Sequence, residues 1–290
     1  MLKARTIILT SLAMAAFAGN SLLCRFAFKN TSIDAASFTS IRLISGALVL
    51  GLILQGRRGA GSAGSAGGSW LSALALLIYA AGFSFAYLSL TTATGALLLF
   101  GAVQVTMIGY GVWAGERLRG WQVLGLMLAF GGLVGLLLPG LSAPPLTGSV
   151  LMLGAGVAWG VYSLRGRGAG DPTRVTAGNF LRAAPIAILL SILMIKDISI
   201  NNPGVWVALA SGGLTSGIGY AIWYTVLPSL KATHAATVQL SVPVIAALAG
   251  IVFLGETLSL RLVLASVAIL GGIALVILEK KFLDGARKPA

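Results

Sequence analysis

The chain has 290 residues, of which 57% are hydrophobic and only 9% are charged. About a quarter of the residues in a soluble domain are charged, so this composition excludes an ordinary soluble domain and favours immersion in a membrane. The net charge of +13 is explained by membrane topology, as argued below, and we expect no nucleic-acid partner. With one cysteine and one histidine, a disulfide framework and a multi-cysteine or histidine-rich metal site are excluded, and we expect no metal or cofactor.

Ten apolar stretches come close to the length of about 20 residues that crosses a bilayer. They fall at 7–24, 35–54, 70–90, 95–114, 121–138, 147–164, 174–195, 204–227, 234–253 and 260–278. Most separators are short and contain turn residues, while 59–68 is a flexible glycine, serine and alanine tether without reactive side chains. The sequence therefore predicts an all-α polytopic membrane protein with ten transmembrane helices.

The two halves of the chain match each other at a constant offset of 140 residues. Gly115-Glu116-Arg117-Leu118 aligns with Gly255-Glu256-Thr257-Leu258, and Gly131-Gly132 aligns with Gly271-Gly272. This match predicts a first five-helix repeat at 1–140, a second at 141–280 and a tail at 281–290. Because each repeat has an odd number of spans, the second must enter the membrane from the opposite side. Inverted repeats of this kind are typical of transporters.

The basic residues indicate the orientation of the chain. Fourteen lysines and arginines flank the predicted spans on the side of the two termini, and four lie on the opposite side. By the positive-inside rule, both termini are predicted to be cytoplasmic. The first residues, with Lys3 and Arg5 before an apolar run, resemble a signal peptide. The repeat nevertheless pairs this segment with 147–164, so we expect it to be retained as the first span.

Two arginines, Arg42 and Arg182, lie inside predicted spans at equivalent positions of the two repeats. An ionisable group costs on the order of 3 kcal/mol in the middle of a membrane helix, and therefore often marks a functional position. Both arginines lie roughly 10 Å from a span end, where a long side chain can still extend to the interface. Their symmetry favours anchoring, or capping of backbone carbonyls, over substrate binding.

Four residues are candidates for gating or coupling. Glu116 and Glu256 end the fourth and ninth spans, and contact with a basic residue or a helix end is favoured over gating. His234 opens the ninth span and can titrate near neutral pH, although an interfacial position is the simpler interpretation. Pro243 interrupts the ninth span and frees a backbone carbonyl, whereas its first-repeat equivalent is Val103. Because no carboxylate occupies the middle of a span, a proton relay has no obvious candidate.

Aromatic and neutral polar side chains within the spans are the candidates for substrate binding. A site between two inverted repeats, near the bilayer midplane, would have aromatic walls and a few hydrogen-bonding groups. The alternative is that these aromatic side chains only fill lipid-facing or helix-packing positions. The candidates are Asn20, Tyr79, Phe83, Gln104, Trp159, Tyr220 and Trp223.

The chain resembles the EamA-type drug/metabolite transporters. The resemblance rests on the ten spans in two repeats and on the run from His234 through Pro243 to Gly255-Glu256-Thr257-Leu258. It also rests on Gly271-Gly272 and on the equivalent residues of the first half, Gly115-Glu116-Arg117-Leu118 and Gly131-Gly132. It covers residues 5–280, and within the family the chain is similar to bacterial exporters of aromatic and other neutral amino acids. The resemblance implies a basket of ten helices in the bacterial inner membrane. The usual proline of the fourth span is replaced by Val103, so bending in the first repeat is expected to differ.

These observations favour a secondary transporter that exports small neutral or zwitterionic metabolites, foremost aromatic and other neutral amino acids. Its expected partners are the small-molecule substrate and the lipid bilayer, and the protein is expected to be a monomer. Export of drugs or other small organic solutes is the alternative, although a cationic drug would favour a carboxylate inside the membrane. An intramembrane enzyme would need paired aspartates, a serine–histidine dyad or a metal cluster, so we expect no catalytic residue.

Overall fold

The computed structural model describes residues 4–57, 67–115, 118, 120–140, 143–166, 170–227, 230 and 238–286, and the regular structure in these ranges is helical. Its helices are α1 (Ala4–Asn30), α2 (Ala35–Arg57), α3 (Trp70–Tyr87), α4 (Thr92–Trp113), α5 (Gly120–Leu137), α6 (Leu146–Gly166), α7 (Pro172–Leu193), α8 (Asn202–Val226), α9 (Ser241–Leu254) and α10 (Leu260–Ala286). A short 3₁₀ turn, Ile195–Asp197, lies between α7 and α8.

Helices α1 to α8 are long and apolar enough to cross a membrane, judged by length and composition. Helix α9 and the apolar part of α10, Leu260–Val276, are shorter. Large apolar side chains such as Leu52, Met127 and Val252 are exposed on the outside of the bundle. Exposed apolar surface on this scale indicates contact with lipid. The chain is therefore a polytopic membrane protein.

The helices pack in a regular set of pairs. Helix α5 lies along α10, α2 lies against α7 and α8, and α6 contacts both α3 and α4. Helix α1 contacts α8 and α9, and α9 also contacts α4. At the crossing of α5 and α10, a Cβ atom added to Gly125 would collide with the backbone oxygen of Gly272, and the reverse also holds. Small residues at this crossing therefore allow the two backbones to approach closely.

Helix α8 contains a π-helical segment, Ser211–Ile218, between the α-helical parts Asn202–Ala210 and Gly219–Val226. The sequence predicts an uninterrupted span at 204–227, so this widened segment is a difference from the prediction. It begins at Ser211-Gly212-Gly213, where the glycines lack side chains that would oppose the wider turn. Gly212 also lies against α2, where an added Cβ atom would collide with the backbone of Arg42. Such π-helical segments occur often at functional sites.

The ninth span is described from residue 238 onwards. Helix α9 begins at Ser241, so Pro243 lies in its first turn, where the missing N–H costs no intrahelical hydrogen bond. The helix ends at Gly255, whose φ of 60° is left-handed and therefore favours glycine. His234 and Glu116, two of the gating or coupling candidates, lie outside the described residues.

Candidate functional site

Aromatic side chains from four helices meet in the interior of the bundle, and we call this group the aromatic cluster. Its members are Phe17 of α1, Tyr79 and Phe83 of α3, Trp159 of α6, and Tyr220 and Trp223 of α8, all of them buried. The ring centroid of Trp159 lies 4.8 Å from that of Tyr79 and 5.0 Å from that of Tyr220. Phe17 contacts Trp159, Tyr220 and Trp223 edge-on. Both predicted repeats therefore contribute to one cluster.

A polar network adjoins the aromatic cluster through Asn20 of α1. The Asn20 Nδ2 donates to the Tyr79 hydroxyl at 3.3 Å, and its Oδ1 accepts from Ser211 Oγ at 2.7 Å and from Thr215 Oγ1 at 3.2 Å. Ser211 and Thr215 both lie in the π-helical segment of α8. This segment therefore presents hydroxyl groups to α1, and the amide of Asn20 joins α1 to α3 and α8.

Arg42 of α2 completes the network from the other side. Its side chain is 1% exposed, its Nη2 donates to the Tyr79 hydroxyl at 3.1 Å, and its Nε donates to Ser216 Oγ at 3.2 Å. The guanidinium lies over two rings, 5.3 Å from the centroid of Tyr79 and 4.9 Å from that of Phe83. Anchoring at the interface is therefore the wrong interpretation for Arg42, because its side chain turns into the bundle.

Arg182, the equivalent residue of α7, behaves as the sequence predicts for an anchoring arginine. Its Nη1 donates to the carbonyl oxygens of Gly67 at 2.8 Å and Gly178 at 2.9 Å. Its guanidinium also lies 6.0 Å from the ring centroid of Trp70, at the start of α3. The two equivalent arginines therefore have different environments.

The structure places six of the seven predicted substrate-binding residues together. Asn20, Tyr79, Phe83, Trp159, Tyr220 and Trp223 form the aromatic cluster and its polar edge. Gln104 is buried in α4 and lies outside the ring contacts that define the cluster. Their role in substrate binding stays a prediction.

Pro243 lies away from the aromatic cluster. It lines an apolar groove of about 510 Å³ between α4, α9 and α10, together with residues such as Ala93, Ala247 and Leu262. Its role in gating also stays a prediction.

Glu256 lies at the end of the bundle opposite to the start of α1 and the end of α10. Its Oε1 is 3.3 Å from Arg25 Nε, and its Oε2 accepts from the backbone N–H of Thr92 at 2.8 Å. Arg25 Nη1 also donates to the carbonyl of Tyr87 at 3.0 Å, and Lys29 Nζ donates to the carbonyl of Leu254. Glu256 thus contacts both a basic residue and a helix start, and it joins α1, α4 and α9 at this end.

Sequence reasoning missed Ser211, Thr215 and Ser216 and gave Arg42 the wrong environment. The available indication was the pattern in the eighth span, where three hydroxyl side chains surround Gly212-Gly213 in an otherwise apolar stretch. Hydroxyl groups within an apolar helix need partners, and Arg42 is such a partner.

Comparisons with known proteins agree with this architecture. The model of the EamA-like transporter family matches residues 146–278. An uncharacterised protein of Pseudomonas aeruginosa is 58% identical over 273 residues, which are 94% of each chain. The threonine/homoserine exporter RhtA of Salmonella typhimurium is 34% identical over 128 residues, 43% of each chain, and RhtA of Escherichia coli is 32% identical over 117 residues, 39% of each.

A solved crystal structure superposes with a TM-score of 0.67 at 19% sequence identity, covering 96% of this chain and 99% of the other. At that identity the likeness concerns the fold, which extends over nearly the whole chain. The family match and the sequence relatives show that the chain belongs to the EamA-like transporter family.

Proposed function

We propose that the protein is a secondary transporter that exports small neutral or zwitterionic metabolites, foremost aromatic and other neutral amino acids. The observation that supports this most is the aromatic cluster with its polar edge. It joins flat apolar rings to amide, hydroxyl and guanidinium groups in the interior of the bundle. Apolar walls with a few placed polar groups are typical of small-molecule sites. The relatives named as threonine/homoserine exporters agree with an amino-acid substrate.

The packing of the helices supports two five-helix repeats within a ten-helix membrane unit. If α1–α5 correspond in order to α6–α10, then each contact between helices should have an equivalent contact. The contact of α3 with α6 is matched by that of α8 with α1, and the contact of α4 with α6 is matched by that of α9 with α1. The same correspondence leaves the pairs α2–α7, α4–α9 and α5–α10 unchanged. Such a relation suits alternating access, in which one repeat moves against the other around a site between them.

The distribution of lysine and arginine supports an inner-membrane position with cytoplasmic termini. Since the sequence contains no ATP-binding motif, an ion or substrate gradient supplies the energy for transport. The start of α1 and the end of α10 lie at one end of the bundle, so substrate enters at the end that holds the termini and leaves at the end that holds Glu256.

Charge at the site favours a zwitterion over a cationic drug. Arg42 is a buried cation beside Tyr79 and Phe83, and a second cation would be repelled there in a medium of low dielectric constant. The hydrogen-bond partners of Arg42 within the described ranges are the neutral hydroxyls of Ser216 and Tyr79, so no described acidic side chain neutralises it. The drug-export alternative therefore ranks second.

Transport by the purified protein tests this proposal. Proteoliposomes loaded with labelled phenylalanine, threonine and other neutral amino acids should release them faster than protein-free liposomes. Trp159→Ala should lower the rate about tenfold, because the Trp159 ring packs at a tilt against both Tyr79 and Tyr220 and an aromatic contact of this kind is worth about 1 kcal/mol beyond its buried area.

Trp206→Ala is the matched control, since Trp206 is also in α8 but is 71% exposed on the outside of the bundle. Its transport rate should equal that of the unmodified protein. If the folded protein released no amino acid of a broad panel, the proposal would be contradicted. Release of cationic drugs in place of amino acids would support the second candidate.

A further inference from the structure

Arg42 occupies an unusual position for a charged side chain. It is the eighth residue of α2 and ranks among the largest fully buried side chains of the protein. Its guanidinium lies between the helices, against the rings of Tyr79 and Phe83. A charge removed from water in this way is normally paired with an opposite charge.

The hydrogen bonds of Arg42 leave most of its capacity unused. A guanidinium has five N–H donors, and two are engaged by neutral oxygens, those of Ser216 and Tyr79. Nη1 is buried and has no hydrogen-bond partner within the described ranges. Two N–H groups on Nη1 and one on Nη2 therefore remain. One N–H of Nη1 and the free N–H of Nη2 lie side by side at the end of the guanidinium, and such a pair binds a carboxylate through two parallel hydrogen bonds.

Arg182 shows how this fold satisfies an arginine that has a purely structural role. Two backbone carbonyls accept hydrogen bonds from its Nη1 near the bundle end, and Trp70 packs beside it. Arg42 is the equivalent residue at the offset of 140, and it is directed at the aromatic cluster instead. Since the repeat alone would give both arginines the same environment, the difference indicates a role that only one half performs.

A second buried polar atom lies in the same cluster. The hydroxyl of Tyr220 has no hydrogen-bond partner among the described atoms, and Trp159 joins Tyr220 to Tyr79, which accepts a hydrogen bond from Arg42. Its ring packs against Trp159 and Phe17. A cationic fork and a phenolic donor in one apolar environment match the two oxygens of a carboxylate.

We propose that Arg42 is the binding residue for the carboxylate of the substrate, with the Tyr220 hydroxyl as a second donor. This inference rests on the proposed function and narrows it, because the substrate must then carry a carboxylate. The ammonium group of an amino acid would lie over the aromatic faces, where cations are attracted by the ring electrons. A substrate without an ammonium group should therefore still bind, whereas one without a carboxylate should bind much more weakly.

Ligand-induced thermal stabilisation of the detergent-solubilised protein tests the inference, because a ligand that binds the folded state raises its melting temperature. The probes are phenylalanine and threonine, their amides, which lose the carboxylate, and 3-phenylpropionate, which loses the ammonium group. The acids should stabilise the protein in a concentration-dependent way, and the amides should bind about 10- to 100-fold more weakly, as expected for a lost charge-assisted hydrogen bond.

The variant Arg42→Gln should abolish this preference for acids over amides. Arg42→Lys should retain part of it, because lysine keeps the charge but lacks the fork. Arg182→Gln is the matched control and should retain the full preference. Because the comparison of acid with amide is made on the unmodified protein, it remains decisive even where Arg42→Gln fails to fold.

Three results would overturn the inference. Equal stabilisation by acids and amides would contradict the carboxylate role and leave amino-acid export standing. If chloride raised the melting temperature and the amino acids did not, and if Arg42→Gln removed the effect of chloride, Arg42 would be a site for an inorganic anion. No response to any amino acid or amide would contradict the proposed function as well.

Discussion

The hydroxyl of Tyr79 accepts hydrogen bonds from two side chains that reach it from different helices. Arg42 donates from α2 and Asn20 donates from α1, at 3.1 and 3.3 Å. Both donors are buried, so neither can turn to water if the acceptor is removed. One oxygen atom therefore holds the polar edge of the aromatic cluster together.

Tyr79→Phe should consequently destabilise the protein by about 1–3 kcal/mol, the cost of leaving buried donors without an acceptor. Tyr110→Phe is a matched control, because Tyr110 is 48% exposed in α4 and should tolerate the change. Equilibrium unfolding in detergent measures both. Equal stability of the two variants would show that the Tyr79 hydroxyl is not an obligatory acceptor.

At the scale of single residues, the sequence predicts where aromatic side chains lie better than where charged side chains lie. Tyr79 and Phe83 are four residues apart, so they share a helix face, and the structure brings them together with the other aromatic candidates. Arg42 could not be placed in this way, because a long side chain can point towards an interface or into a bundle from the same backbone position. Which direction it takes depends on Ser216 of α8, a residue 174 positions away.

The crossing of α2 and α8 is the feature that positions Arg42. Gly212 contacts the backbone of Arg42 so closely that no Cβ atom fits between them, and Gly46 of α2 lies against Phe180 and the backbone of Gly212. The close approach brings Ser216, one turn further along α8, to the Nε of Arg42. Here two glycines control the geometry of a polar contact.

Gly212→Ala should force the two helices apart and destabilise the protein by about 1–3 kcal/mol, the usual cost of overpacking. Its transport rate should also fall, because the Arg42–Ser216 contact is lost. Gly154→Ala in α6 is the control, since open space surrounds Gly154 and alanine is favoured over glycine in a helix by about 1 kcal/mol. Thermal unfolding of both variants checks the prediction, and a stable Gly212→Ala protein would contradict it.

The sequence predicts the ends of a helix well where an apolar run defines them. It predicts a change from α-helical to π-helical hydrogen bonding poorly. The span at 174–195 corresponds closely to α7, Pro172–Leu193, because Asp171 caps its start and an apolar run fills the rest. The π-helical segment of α8 leaves no mark on hydropathy, since a widened turn has the same composition as an ordinary one. Hydropathy therefore gives no indication that Ser211 and Ser216 lie beside Asn20 and Tyr79.

On the scale of the whole molecule, the two ends of the bundle differ in their contacts. At the end opposite to the termini, Glu256 is 6% exposed and binds Arg25 and the start of α4. At the end with the termini, Arg165, the repeat equivalent of Arg25, donates from its Nε to Ser72 Oγ at 3.1 Å. An ion pair therefore joins helices at one end, while a hydrogen bond from an arginine to a neutral hydroxyl joins α6 and α3 at the other.

Glu256→Gln should weaken the first of these ends. It removes the ion pair but keeps an acceptor for the N–H of Thr92, so we expect a loss of about 1–3 kcal/mol, since Arg25 retains its bonds to backbone carbonyls. Hydrogen exchange should become faster at residues 87–92. Asp197→Asn, in the exposed 3₁₀ turn, is the control, and unchanged exchange in Glu256→Gln would argue against stabilisation of this end by the Arg25–Glu256 pair.

The π-helical segment has a consequence for the rotation of α8. A π-helical turn accommodates one residue more than an α-helical turn, and one residue corresponds to about 100° of rotation and 1.5 Å of rise. If Ser211–Ile218 tightened to α-helical spacing, Gly219–Val226 would turn by about 100° relative to Asn202–Ala210. Tyr220 and Trp223 would then lose their contacts with Trp159 and Phe17. Rotation of one part of α8 relative to the other would thus open the aromatic cluster while the helix stays folded.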